Sequence, residues 1–171
     1  MQHIIFTTQI KNLNYNINMY KSEHFTDSLF YQVELTAKYC RSLGVQVFTK
    51  LNMPLTVEEF SAMDVIMLHK DICQRELAKI ILKDRPNTGR ILNSLEEKGY
   101  IKRFADTKNN RLVRKMMITD EGEKVFKYVS DILREHLSKI PKIISEEEKA
   151  FVKIICKKLR EGLKQEVEMK I

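Results

Sequence analysis

Apolar side chains recur at helical spacing through most of the chain, and this pattern predicts a mainly helical protein. Two short helices are predicted in succession, separated by a break at residues 83–86. Asp84 can cap the second helix, Pro86 suits its first turn, and Gly99 follows it as a C-cap. This second helix is expected to turn one stripe inward, formed by Thr88, Ile91, Leu92 and Leu95.

The residues before this pair predict two further helices. One is expected over residues 24–43, apolar over much of its circumference and stopped by Gly44. Residues 45–54 are expected to form a short helix or a loop. Thr56 to Glu59 is a capping box that opens a buried supporting helix. The apolar residues assigned to that helix are Phe60, Met63, Val65, Ile66, Met67 and Leu68.

The residues after the pair predict a hairpin and two long helices. Strands are expected at residues 100–103 and 112–118, with the basic segment 106–111 as the loop between them. Thr119 is expected to cap a helix that ends at Pro141. Ser145 to Glu148 is a second capping box and opens the last helix. The residues expected inside that helix are Phe151, Ile154, Ile155, Leu159 and Leu163.

Positive charge is concentrated around the central helix pair. The formal net charge is +7, and residues 70–115 hold 13 Lys and Arg against 6 Asp and Glu. The rest of the chain is therefore near neutral. A local excess of this kind is typical of a surface that binds a polyanion.

The second helix of the pair keeps Arg85, Asn87, Arg90 and Asn93 off its apolar stripe. In a DNA major groove, Arg can donate two hydrogen bonds to guanine, and Asn can bond adenine in both directions. A basic hairpin can reach a neighbouring phosphate or the minor groove. The alternative is an ordinary helical hairpin with a solvated polar face. The turn, the helix, the Gly stop and the basic hairpin occur together and in order, which favours DNA binding.

Composition narrows the class of protein. A length of 171 residues fits one domain, or one protomer of a small oligomer, and 43% hydrophobic content is enough for a core. No apolar run approaches the ~18–20 residues of a membrane helix, so no membrane partner is expected. Residues 1–18 lack a secretory signal and are interpreted as an extension of uncertain structure. Three widely spaced cysteines indicate a reducing, cytoplasmic location.

Motifs for enzyme chemistry and metal binding do not occur in the sequence. There is no phosphate-binding loop, zinc-protease motif or nucleophile elbow, so we expect no enzyme and no cofactor. None of the four histidines has a partner at metal-ligand spacing, and no metal site is predicted. Those histidines are His3, His24, His69 and His136.

The segment from Gln74 to Thr119 resembles the winged helix-turn-helix of the MarR family of bacterial regulators. The motifs that carry the resemblance are Glu76-Leu77-Ala78, Arg85-Pro86, Arg90-Ile91-Leu92, Leu95 to Arg103 and Thr119 to Gly122. The resemblance implies a mainly helical fold with a small β-hairpin wing. It also implies a single domain over residues 19–171, with the winged helix-turn-helix at about 55–118. Residues 24–43 and 119–171 would then supply dimerisation helices.

The resemblance implies a sequence-specific DNA-binding regulator that represses transcription and is released by a small-molecule or oxidant signal. A homodimer would bind an inverted-repeat operator in double-stranded DNA. Contacts with base edges are expected from Arg85, Asn87, Arg90 and Asn93. Gln74 and Arg75 are expected at the DNA backbone. Phosphate or minor-groove contacts are expected from Lys83, Lys108, Asn110, Arg111 and Arg114.

Two departures from the family pattern affect these expectations. Asn109 and Asn110 stand where the family often has Asp and Arg, so the acid of the pair that braces the wing is expected to be missing. Cys73 stands where Ser or Thr commonly caps the first motif helix. Asp71, with Gln74 at capping-box spacing, is expected to take over that cap.

The resemblance also suggests where a signal could act. Some relatives sense oxidants through a cysteine, and Cys40 and Cys73 are the candidates here, against the ordinary interpretation of buried small hydrophobes. Many relatives bind small aromatic or phenolic effectors near the dimerising helices. Residues assigned to such a site are Tyr39, Arg41, Met63, Met67 and His69, although methionines more often simply fill a core. A winged-helix protein-interaction module without specific DNA binding is the alternative function.

Overall fold

A computed structural model describes residues 24–108, 111–138, 144–164 and 166. The extension predicted at residues 1–18 lies outside these described residues. The chain divides by its internal contacts into two compact units, one up to Val47 and one from Phe48 onward. The division into domains predicted from the sequence stays a prediction.

The first unit consists of a 3₁₀ turn, Phe25–Asp27, and most of helix α1, Leu29–Lys50. The prediction that Gly44 stops this helix was wrong, because α1 continues for six residues beyond it. A glycine inside a helix costs about 1 kcal/mol. Continuation of the helix places Val47 and Phe48 in buried positions, which offsets that cost. The exposed apolar side chains of this unit are Phe25, Leu29, Phe30, Val33, Tyr39, Leu43 and Val45.

The second unit begins with helix α2, Val57–Leu68. The predicted capping box is confirmed, since the Thr56 N–H donates to Glu59 Oε2 at 2.7 Å and the Glu59 N–H donates to Thr56 Oγ1 at 3.1 Å. The prediction that the whole apolar set is buried was wrong. Met67 and Leu68 are exposed, because the buried stripe is centred on Ala62, Met63 and Ile66.

The helix pair consists of α3, Gln74–Ile81, and α4, Arg85–Glu97. Leu82 adopts a left-handed conformation in the turn between them. Asp71 does not cap α3 as predicted. The N-cap residue is Cys73, whose N–H donates to Glu76 Oε2 at 3.1 Å. Asp71 lies in the preceding turn with φ of 69° and pairs with Lys115 at 3.3 Å.

Helix α4 begins and ends as its sequence predicts. The Asn87 N–H donates to Asp84 Oδ1 at 2.7 Å. At the other end Gly99 has φ of 74°, a left-handed conformation that glycine adopts without strain. The Gly99 N–H donates to the Glu96 carbonyl and the Tyr100 N–H to the Leu95 carbonyl, which is a Schellman C-cap. All four residues of the predicted stripe are buried: Thr88, Ile91, Leu92 and Leu95.

Strands β1, Ile101–Lys108, and β2, Arg111–Ile118, form an antiparallel hairpin. Ile101 lies opposite Ile118 at one end, and Lys108 lies opposite Arg111 at the other. The predicted loop of six residues was therefore too long. Cross-strand pairing continues to Lys108 because Asp106, a residue typical of turns, is neutralised in the strand by an ion pair with Lys115.

Helices α5, Asp120–Ser138, and α6, Glu146–Leu163, complete the described chain. Thr119 caps α5 as predicted, and the Ser145 capping box of α6 is present. Pro141 lies outside the described residues. The apolar residues of α6 were predicted to be buried with the help of a second copy of the chain, and that burial stays a prediction. Three of them are exposed in the single chain, namely Phe151, Ile154 and Leu163.

The core of the second unit lies where α2, α3, α4 and the hairpin meet. The Phe60 ring is stacked on Phe126 of α5, with ring centroids 4.6 Å apart, and contacts Phe48 edge-on at 6.0 Å. The α4 stripe packs into this core, so the opposite side of α4 faces outward. The fully buried side chains with the largest volumes are Met63, Leu77, Leu92, Leu95, Ile101, Val129 and Thr88.

Candidate nucleic-acid interface

Helix α4 is held in place at both of its ends by side chains of neighbouring segments. At its start, Gln74 Nε2 of α3 donates to the Arg85 carbonyl at 3.4 Å. Thr88, which is fully buried, donates its hydroxyl to the Asp84 carbonyl at 2.8 Å. The predicted anchoring residue Gln74 therefore contacts the start of α4 directly. This arrangement fixes the direction in which the outward face of the helix points.

Lys98 and Glu59 anchor the other end of α4 to helix α2. Lys98 Nζ donates to the two carboxylate oxygens of Glu59 at 2.8 and 2.9 Å, and Ser94 Oγ donates to the same carboxylate at 2.7 Å. Burial by itself would raise the pKa of Glu59. The hydrogen bonds from Lys98, Ser94 and the Thr56 backbone outweigh burial, so this pKa lies below its usual value.

The outward face of α4 carries the predicted base-reading residues. Arg85, Arg90 and Asn93 are exposed, and Asn87 is partly exposed. Asn87 Nδ2 donates to Asp84 Oδ2 at 2.8 Å, and Arg90 Nη2 donates to Asn87 Oδ1. Two of the predicted residues are therefore already hydrogen-bonded to each other in the free protein.

Arg103, at the start of the hairpin, joins β1 to α4. Its Nε and Nη2 donate to Glu96 Oε2, its N–H donates to Glu96 Oε1 at 3.2 Å, and Nη2 also donates to Asn93 Oδ1 at 2.8 Å. The hydrogen bond from the Arg103 side chain holds the pKa of the Glu96 carboxyl below its usual range. Asn93, predicted to lie at a base edge, thus contacts the wing instead of standing alone.

The predicted phosphate-contacting residues have different surroundings. Lys83 Nζ forms an ion pair with Glu58 of α2 at 2.6 Å, so this cation is already partly neutralised. Arg75 and Arg114 are exposed. Asn110 lies outside the described residues, and Lys108 and Arg111 are placed by their backbone pairing alone. The tip of the wing therefore stays a prediction.

The wing has an acid–base pair at a different place from the family's, whose acid is replaced by Asn109 outside the described residues. Lys115 Nζ on β2 lies 2.6 Å from Asp106 on β1 and 3.3 Å from Asp71 before α3. The Lys115 backbone also bridges that of Cys73. The hydrogen bond between the side chains of Lys115 and Asp106 raises the pKa of Lys115 and lowers the pKa of Asp106. Lys115 therefore ties both strands of the wing to the start of α3.

We expect a Lys115→Met variant to return the pKa of Asp106 toward its ordinary value, because the hydrogen bond that lowers it is removed. A carboxyl NMR titration of the full chain measures this change. Lys102→Met, an exposed site on the same hairpin, is the matched control and should leave the titration of Asp106 unchanged. An unchanged Asp106 titration in Lys115→Met would contradict this acid–base pair.

The candidate signal-sensing residues differ in how far they are exposed. Cys40 is exposed in α1, and Cys73 is partly buried at the start of α3. Met63 is completely buried in the core, whereas Met67 and Tyr39 are exposed. An open cleft of about 400 Å³ lies in the second unit, and His69 is the one candidate effector residue among those that line it. Its lining residues are His69, Lys70, Asp71, Ile72, Glu76, Lys79 and Ile80.

Within the part of the chain that the structure describes, no cluster of three or more His, Cys, Asp or Glu residues is arranged to hold a metal ion. Across residues 24–108, 111–138 and 144–164, no helix combines the length and apolarity that a membrane crossing requires.

Sequence reasoning missed Glu59, Glu96, Lys98 and Arg103 as residues that position α4. One signal was available for the second pair: Glu96 and Arg103 have opposite charges and flank the Gly99 turn closely. No comparable signal exists for Glu59 and Lys98, because they are far apart in sequence and meet only in the folded chain.

Two helices joined by a tight turn, followed by a hairpin packed against the second helix, define a winged helix-turn-helix protein. Residues 55–113 match the sequence model of the MarR family. The family consists of transcriptional regulators and not of enzymes.

The chain is also similar to a transcriptional regulator in sequence and to solved regulator structures in fold. The chain is 26% identical over 121 residues to an uncharacterised HTH-type transcriptional regulator, YybA of Bacillus subtilis, covering 68% of this chain and 77% of the relative. It is similar in fold to the S. aureus MepR–DNA complex, with a TM-score of 0.64, 20% identity, and coverage of 82% and 99% of the two chains. A MarR/EmrR family transcriptional regulator from Acinetobacter sp. ADP1 gives a TM-score of 0.67, 22% identity, and coverage of 78% and 93%.

Proposed function

We propose that the protein is a sequence-specific DNA-binding regulator whose α4 enters the major groove. The observation that carries this proposal is the outward face of α4, which presents Arg85 and Arg90 while its opposite stripe is buried. Arginine is suited to guanine because its planar guanidinium can donate two parallel hydrogen bonds to O6 and N7. The solved structure of MepR with DNA, which has a similar fold, supports the same use of this fold here.

The basic surface next to α4 supports phosphate binding. Arg75 lies on α3, which packs with α4, and Arg114 lies on β2, whose partner strand β1 packs with α4; both side chains are exposed. We propose that they contact the DNA backbone, together with Lys108, Asn110 and Arg111 at the wing tip. Lys83 is expected to contribute less to phosphate binding, because its ion pair with Glu58 already partly neutralises its charge.

We propose that the protein acts as a homodimer on an inverted repeat. The exposed apolar side chains of α1 support this, and so do Phe151, Ile154 and Leu163 on α6. Burial of apolar surface stabilises association by roughly 25 cal/mol per Å². A two-fold dimer would place its recognition helices on half-sites about 34–36 Å apart, or a multiple of that distance.

We propose further that the dimer represses transcription by occupying a promoter and that a small-molecule or oxidant signal releases it. The effector must bind one spacing of the recognition helices more tightly than another, since equal affinity would shift nothing. Exposed Cys40 and partly buried Cys73 support an oxidant route, and Tyr39 and Met67 support an aromatic effector.

The test is binding of the purified full chain to its own upstream intergenic DNA and to a scrambled duplex of equal length, across a salt series. Tight binding to the native fragment, a steep salt slope and two protomers per site are expected. Equal and weak binding to both duplexes would reject this operator. Absence of any salt-dependent DNA binding would instead favour a protein-interaction module.

An Arg90→Ala variant is expected to lose preference for the operator by about 1–3 kcal/mol, because one bidentate contact with a base is removed. Its affinity for scrambled DNA should change much less. Arg75→Ala is the matched control, and it should weaken binding to both duplexes equally, because a phosphate carries no sequence information. If Arg90→Ala weakens binding to the two duplexes to the same extent, Arg90 does not read a base.

A further inference from the structure

A row of side-chain hydrogen bonds along the outward side of α4 joins Asp84, Asn87 and Arg90. Asp84 accepts from the Asn87 N–H at 2.7 Å and from Asn87 Nδ2 at 2.8 Å. Asn87 Oδ1 in turn accepts from Arg90 Nη2. Successive members are three residues apart, which makes them neighbours on a helix surface. This row of hydrogen bonds runs from the N-cap of the helix to the middle of its exposed face.

The chemistry of the two flanking residues dictates the orientation of the Asn87 amide. An ionised carboxylate only accepts hydrogen bonds, and a guanidinium only donates them. Nδ2 of Asn87 must therefore face Asp84, and Oδ1 must face Arg90. Recognition of adenine by asparagine uses both of these atoms at once. Each atom already has a partner in the free protein, so Asn87 is poorly suited to read a base.

Arg90 differs, because it keeps most of its donors. A guanidinium has five N–H groups, and the contact with Asn87 uses one of them. The remaining donors suffice for the two bonds to guanine. An arginine held in one orientation before DNA arrives also loses less conformational freedom on binding. These hydrogen bonds thus orient the Arg90 guanidinium before DNA binds.

We propose that Asn87 is a positioning residue for Arg90, and that the base preference of this part of α4 is for guanine opposite Arg90. This inference rests on the proposed function and refines it. Asn87 was predicted from the sequence to contact a base edge itself. The hydrogen bonds assign it to Arg90 instead, and Asp84 serves both as the helix cap and as the residue that orients the amide.

The proposal is tested by selecting bound sequences from a duplex library with a randomised centre. Wild type, Asn87→Ala, Arg90→Ala and the double variant are compared, with Glu97→Ala, at an exposed position near the other end of α4, as the matched control. Asn87→Ala should lower discrimination at the same guanine positions as Arg90→Ala, by at least about twofold. The double variant should equal Arg90→Ala. Loss of preference at an adenine position that Arg90→Ala still recognises would overturn the proposal.

Folding does not confound this comparison. The cap bond to Asp84 Oδ1 uses the backbone N–H of residue 87, which Asn87→Ala retains. A second measurement needs no DNA, namely NMR relaxation of the Arg90 Nε–Hε group in the free full chain. This group should be restricted in wild type and more mobile in Asn87→Ala, and equal mobility would overturn the proposal.

Failure of sequence-specific binding and failure of the positioning role of Asn87 can be told apart. If wild type enriches no sequence from the library, sequence-specific binding is rejected. Whether Asn87 positions Arg90 is then decided by the relaxation measurement alone. If wild type enriches a sequence and Asn87→Ala behaves as wild type, the DNA-binding function stands and the positioning role is rejected.

Discussion

A Lys98→Met variant is expected to lose about 3 kcal/mol of unfolding free energy at pH 7, because it leaves the buried Glu59 carboxylate without its cation. The loss falls at the lower end of the range for buried pairs, since Ser94 and the Thr56 backbone still donate to Glu59. Urea unfolding followed by circular dichroism measures it. Methionine keeps the apolar stem of the lysine, so the comparison isolates the charge.

Lys83→Met is the matched control, because Lys83 also pairs with a glutamate of α2. That pair is more exposed, with side chains 27% and 39% accessible, and exposed pairs contribute about 0–1 kcal/mol. Equal losses in the two variants would show that burial of Glu59 does not set the energy.

The effect of Lys98→Met should also depend on pH in a defined direction. The pKa of Glu59 in the folded wild type is lowered from 4.5, so its contribution to stability is present above pH 4.5 and is lost as the pH falls through the folded value. Removal of Lys98 takes away a hydrogen bond and a charge that lower this pKa, so the pKa of Glu59 should rise in the variant. The difference between wild type and variant should therefore shrink when unfolding is measured below pH 4.5, and a constant difference would contradict this.

A Gly122→Ala variant is expected to lose about 3 kcal/mol of unfolding free energy, the upper part of the range for overpacked sites. A Cβ at this position would lie 2.1 Å from the Tyr100 carbonyl oxygen and 2.9 Å from its carbon. Backbone atoms cannot rotate away as a side chain can. The Thr119 N–H also holds that carbonyl in place, at 3.1 Å. Thermal unfolding of the variant measures the loss.

Gly162→Ala is the control for this substitution, because a Cβ there meets no heavy atom within 4 Å. It lies in helix α6, where alanine is favoured over glycine by about 1 kcal/mol. The two variants should therefore shift the melting temperature in opposite directions. A downward shift of the same size in both would show that loss of glycine flexibility, and not the close approach to Tyr100, is responsible.

The parts of the fold that the sequence predicted correctly are those determined by local chemistry. Thr56, Asp84 and Ser145 each cap the helix they precede, because a short polar side chain reaches the free N–H groups three residues on. The apolar stripe of α4 was also predicted correctly. Its spacing of three and four residues leaves one way for a helix to bury it.

The incorrect predictions arose where tertiary contacts outweigh local preference. Gly44 is an ordinary helix stop by propensity, yet α1 passes through it and continues to Lys50. Asp106 suggests a turn by composition, yet the ion pair with Lys115 keeps it in a strand. In both cases the deciding partner cannot be identified from the neighbouring residues.

The candidate site was predicted at the level of its residues but not of their partners. The sequence placed Asn87, Arg90 and Asn93 on the outward side of α4. It could not show that Arg103 contacts Asn93 or that Asn87 contacts Arg90, because side-chain hydrogen bonds depend on rotamers. Which residues read bases and which orient their neighbours therefore required the structure.

The contacts of Arg103 have a mechanical consequence for the proposed regulator. Because the backbone of Arg103 is bonded to Glu96 and its side chain to Asn93, the wing and α4 are expected to move together as one rigid unit. A signal that changes the protein would then alter the distance between the two wing–α4 units of a dimer. The position of the wing relative to α4 within each protomer would stay the same. Operators with an altered spacer should respond to the signal differently, whereas altered half-sites should lose affinity equally with and without it.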